Sequence, residues 1–82
     1  MTKLTDKQKL LINDAFLPIN EHLDTYGCIP KIIELDGYTF DECSTQTLKS
    51  LVKKGFVEAF VKHQTAFSIT WNAGKVYDWI TL

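Results

Sequence analysis

Eighty-two residues, 45% of them hydrophobic and 12% aromatic, suffice for one small ordered core and not for two. No apolar run approaches the roughly 20 residues that span a bilayer, and the opening MTKLTDKQKL lacks the apolar stretch of a secretory signal, so the expected place is the cytoplasm. The net charge of −1 is uneven: residues 1–43 hold four lysines against eight acids and residues 44–82 hold five against two, which steers a polyanion to the second half.

Along the chain, Thr5 is a cap candidate ahead of a helical stripe of Leu10, Leu11, Ala15, Phe16, Ile19 and Leu23. Pro18 interrupts the stripe. Either the helix kinks there, or a helix from about Asp6 to Phe16 gives way to a second one starting at Pro18; Gly27 ends the segment. CIPKIIELDGY is short and apolar on one side, which predicts one or two helical turns from Pro30 to Leu35, stopped by the turn pair Asp36–Gly37. The next helix starts near Asp41 or Ser44 and runs to Lys54. Leu48, Leu51 and Val52 should face the core, Lys53 and Lys54 suit the helix's negative end, and Gly55 suits the residue beyond it.

After Gly55 the apolar period changes from helical to alternating. FVEAFV and AFSITW are strands on either side of a KHQT turn, an antiparallel hairpin. Thr70 is placed to cap a last helix within WNAGKVYDWI, whose Val76, Tyr77, Trp79 and Ile80 pack inward or against a partner. The order is helix, short helix, helix, hairpin, helix: an α+β winged helix-turn-helix layout of three helices, a two-stranded β-hairpin wing and a short C-terminal helix, filling residues 1–82 as one domain.

Three stretches carry a family resemblance in chain order. TLKSLVKKGFVE resembles the end of the recognition helix and the first wing strand of small bacterial or phage MarR-like winged-helix regulators, often T-L-x-x-L-x-x-K-G-L-V-E. FSITWNAG resembles their second wing strand and the cap after it, and LTDKQKLL resembles their first helix. The resemblance implies a recognition helix in the major groove of double-stranded DNA and a wing tip on backbone or minor groove. By position, Thr45, Gln46, Lys49 and Ser50 would lie toward the groove, with Gln46 suited to adenine and Thr45 and Ser50 to phosphate or base edges. Lys53, Lys62, His63 and Gln64 would contact the backbone.

The chain departs from that pattern. All nine basic residues are lysine, so the bidentate guanine contact that arginine makes is missing, although lysine still neutralises phosphate. Asp41 and Glu42 precede the recognition helix and repel phosphate, and little chain is left for a dimerisation helix.

Other chemistry has little support. Cys28 and Cys43 read as small apolar residues near the core rather than a disulfide. With His22 and His63 they lack the close spacing of a zinc site, so neither metal nor cofactor is expected. There is no Gly-rich phosphate loop, nucleophile elbow or His–Glu metal motif, and Ser44 and His63 fall in separate elements, so no enzyme is expected. Trp71, Tyr77 and Trp79 either close the core over the hairpin or form an interface, with a second copy or with another protein. The expectation is a non-enzymatic DNA-binding transcriptional regulator acting as a homodimer. The alternative is a small winged-helix adaptor or inhibitor, such as a phage-encoded factor, that binds another protein.

Overall fold

A computed structural model describes residues 3–82. The elements run α1 (Asp6–Tyr26), β1 (Ile32–Thr39), α2 (Thr45–Lys54), β2 (Val57–Lys62), β3 (Ala66–Asn72) and α3 (Ala73–Thr81). The fold is α+β, with three helices and a three-stranded antiparallel sheet in the order β1-β3-β2.

α1 starts where Thr5 and Gln8 cap each other: the Gln8 N–H donates to Thr5 Oγ1 (3.2 Å) and the Thr5 N–H to Gln8 Oε1 (2.9 Å). It is one helix of 21 residues, not two, and Pro18 lies inside it. Proline costs it the N–H that would reach the Asp14 carbonyl, on an exposed side where water can serve that group. Ala15 and Ile19, buried on either side of Pro18, hold both halves to the core. Gly27, with φ of 75°, ends the helix by donating to Leu23 O at 2.8 Å.

The segment expected to be a short helix from Pro30 to Leu35 is strand β1 instead. Ile32, Ile33, Glu34 and Leu35 pair with Asn72, Trp71, Thr70 and Ile69 of β3. Asp36–Gly37 does not stop it: the register slips between Leu35 and Tyr38, and Gly37 at φ 89° takes up the bulge. The hairpin β2–β3 forms as expected, so the sheet has three strands rather than the two of the wing alone.

Phe67, Ile69 and Trp71 alternate along β3 and are buried together on one face. The core sits there, closed by Leu11, Ile12, Ala15 and Ile19 of α1, Leu48 and Leu51 of α2, and Val76 of α3. Three expected core or cap positions differ. Leu10 and Val52 are exposed, and α3 is capped by Asn72, whose Oδ1 accepts from Lys75 N at 3.1 Å, not by Thr70, which lies within β3. Cys43 is buried, but Cys28 is exposed just past the end of α1. No helix among the described residues is long and apolar enough to cross a membrane.

Candidate nucleic-acid interface

α2 is built to present one face. Ser44 caps it, accepting from Thr47 N at 3.2 Å, and Lys53 and Lys54 fall in the last turn, where the helix dipole favours cations. Gly55, at φ 88°, ends it with its N–H aimed at Leu51 O and Val52 O. Leu48 and Leu51, both 0% exposed, fasten the inner side to the core.

A second side of α2 is stitched to α1. Gln8, only 3% exposed, donates through Nε2 to Ser50 Oγ at 3.0 Å. Lys54 Nζ donates to Gln8 Oε1 at 3.1 Å and to Lys3 O at 2.7 Å. Ser50, expected to face the groove, is half-buried and spends its hydroxyl on this contact. Nothing in the sequence around Ser50 signals the bond, because Gln8 is 42 residues away.

The side that remains carries Thr45, Gln46, Lys49, Val52 and Lys53, all exposed. At 100° per residue they fall within an arc of about 120°, and at 1.5 Å per residue they span about 12 Å. Four of the expected contact residues therefore share one face, with Val52 among them.

Lysines lie near both ends of α2. Lys62 closes β2, and its Nζ sits 5.3 Å from the centre of the Phe40 ring. Phe40, Lys62 and Phe67 line an open cleft of about 280 Å³ together with Ser44 and Thr45, which brings the base of the hairpin turn beside the start of α2. At the other end, Lys75 Nζ lies over Phe56 at 5.9 Å, and a Cβ on Gly55 would meet the Lys75 side chain at 3.8 Å. The hairpin tip is His63–Thr65, where His63 N donates to Ala66 O at 2.8 Å. The His63 ring is tied by Nε2 to Ser68 Oγ at 2.7 Å, and Gln64 is exposed. Of the two acids before α2, Glu42 turns its carboxylate back to accept from Thr39 N at 2.8 Å.

Set against protein-family models, curated proteins and solved structures, the chain matches none.

The aromatic trio is not one surface. Trp71 is 0% exposed at the centre of the sheet, opposite Ile33 and Val57, so it offers nothing to a partner; its indole N–H is buried without an acceptor. Tyr77 is half-buried, stacked on Phe16 with ring centres 6.0 Å apart, and Trp79 meets Phe56 edge to face at 6.3 Å. Both close the core around α3.

The four His and Cys residues do not form one cluster. His22 Nδ1 is bonded to Cys28 O at 2.9 Å, His63 is on the hairpin, and Cys43 is buried ahead of α2. Among the described residues no three His, Cys, Asp or Glu side chains gather as metal ligands would. A second cleft of about 280 Å³ opens between α1 and the end of β1, lined by Lys7, Leu10, Leu11, Asp14, Tyr38 and Glu42. Burial, helped by Asp14, Cys43 and Glu42, pushes the Tyr38 hydroxyl up to about 12.

Proposed function

We propose that this chain is a winged-helix-like DNA-binding protein that regulates transcription, with α2 in the major groove and the β2–β3 turn on the flanking backbone. The observation that carries this reading is the exposed arc of α2. It offers Thr45, Gln46, Lys49 and Lys53 along about 12 Å, on a helix held rigidly from behind by Leu48, Leu51 and the Gln8 contacts, with Lys62 and Lys75 at its two ends. A rigid scaffold under polar side chains is what base-edge contacts require, and lysines at both ends suit phosphates on either side of a groove. The three-stranded sheet and three helices are compatible with a winged-helix arrangement. One feature differs from a helix-turn-helix pair: α2 follows a strand and the turn Phe40–Glu42, not a second helix.

Fluorescence anisotropy of the protein with random duplex DNA at about 50 and 200 mM salt tests the reading, because phosphate-driven binding falls steeply over that range. Binding that weakens with salt, and a salt slope reduced by about one in Lys49→Ala, is expected. No binding at the lower salt refutes it.

Val52 favours a second reading. An aliphatic side chain 39% exposed at the edge of the α2 face, with Phe40 and Val61 also exposed, suits a protein partner better than a phosphate backbone. In that reading the chain is an adaptor or inhibitor that uses the same face. Val52→Lys separates the two: it should strengthen DNA binding and abolish a protein contact.

A further inference from the structure

We propose that the outer face of α1 pairs with the same face of a second copy of this chain, the two helices running antiparallel. Leu10 and Leu17 stand on the side of α1 opposite its buried residues and are 65% and 67% exposed. They are seven residues apart, and Asn13 and Asn20 fall between and after them at the three-and-four spacing that lines up one helix against another. Leu10 also lines a cleft with Leu11 and Tyr38, so an aliphatic side chain arriving next to it finds apolar neighbours there beside the charged Lys7, Asp14 and Glu42.

Charge selects both the occupant and the direction. The exposed residues Lys7, Asp14 and Glu21 repeat at the same seven-residue interval along one flank of the leucines. A two-fold axis passing near Asp14 sets Lys7 of each copy against Glu21 of the other, and Leu10 of one copy beside Leu17 of its mate. A parallel pair would bring Lys7 and Lys9 of both copies together at one end, and Glu21 and Asp24 together at the other. The surface is therefore self-complementary under a two-fold axis, which is the property of an isologous dimer contact. The unfavourable element is Asp14, which meets its own copy at the axis. This pairing does not depend on whether α2 binds DNA.

Sedimentation equilibrium of the full chain, at concentrations from about 10 to 300 µM where a modest helix contact associates, is the test. The wild type should approach twice 9.4 kDa. Leu17→Lys, with folding verified by circular dichroism, should be monomeric throughout. Lys7→Glu should weaken pairing about tenfold, and Lys7→Glu combined with Glu21→Lys should restore it; Asp14→Asn should tighten it severalfold, since like charges at a contact oppose it. A wild type that stays monomeric overturns the proposal, as does a dimer indifferent to Leu17→Lys. Failure of the charge exchange to restore pairing overturns the antiparallel arrangement.

Discussion

Gln8→Ala is the substitution that weighs most on the proposed reading surface without touching it. The Gln8 amide holds three partners: Thr5 N at 2.9 Å, Ser50 Oγ at 3.0 Å and Lys54 Nζ at 3.1 Å. A neutral bond of this kind is worth about 1 kcal/mol net. Lys54 Nζ keeps its bond to Lys3 O when the amide is gone, so this partner adds only about 0.5 kcal/mol. Alanine returns a few tenths through its helix propensity, which leaves a loss of about 2 kcal/mol. A chain of this size has about 4 to 12 kcal/mol in all, so the loss is large. In urea, with a slope of about 1 kcal/mol per molar, the midpoint should fall by about 2 M. Thermal unfolding should shift down by about 8 to 16 °C. In a double-mutant cycle, Gln8→Ala and Ser50→Ala should couple by about 1 kcal/mol, whereas Gln8→Ala and Lys49→Ala should add. An unfolding free energy within about 0.5 kcal/mol of wild type, or no coupling to Ser50, would refute the claim that Gln8 fastens α2 to α1.

Three further outcomes are expected. Tyr38 holds its proton up to about 12 when folded but loses it near its ordinary value of 10.0 when unfolded, so stability should fall as pH rises through that window. Melting temperature against pH should record this, and Tyr38→Phe should flatten the fall. A thiol-reactive chromogenic reagent should modify one cysteine of the native chain, exposed Cys28, and both after unfolding; burial removes access to Cys43 and keeps its thiol protonated by raising its pKa. Gly55→Ala should cost about 1 kcal/mol in urea unfolding, because φ of 88° strains any residue with a Cβ even though its contact with Lys75 would be an ordinary one at 3.8 Å.

The parts of the fold legible in the sequence are those where one local signal had no rival. Thr5, Gly27 and Gly55 mark helix ends in sequence and structure alike, Ser44 is the one of two candidate starts that caps α2, and the alternation after Gly55 gives both strands of the hairpin. β1 is not legible because four apolar-rich residues, Ile32 to Leu35, fit a helical turn and a strand equally well until the partner strand is known. Its Asp36–Gly37 pair reads as a stop from sequence, yet the same glycine serves a bulge inside a strand. Pro18 suggested a break that tertiary packing overrides. Trp71 was grouped with the aromatics of α3, although its spacing from Phe67 and Ile69 already places it on the inner face of β3.

For the candidate interface, the residues expected on the polar face of α2 come from the resemblance to winged-helix regulators, and Thr45, Gln46, Lys49 and Lys53 are exposed together in the fold. The bonds that remove Ser50 and Lys54 from it are not legible in the sequence, since their partners Gln8 and Lys3 are more than forty residues away in the chain.

The strand order β1-β3-β2 has a consequence for synthesis on the ribosome. The central strand is made last of the three, and neither β1 nor β2 pairs with the other. A nascent chain that has not yet extended past Asn72 therefore holds two strands with no completed ladder between them. α1 and α2 can form as they emerge, because their bonds are local. The sheet cannot form piecemeal: β3 zips to both neighbours in one late event that also buries Trp71, and every premature stop before it yields a chain with two unsatisfied edges.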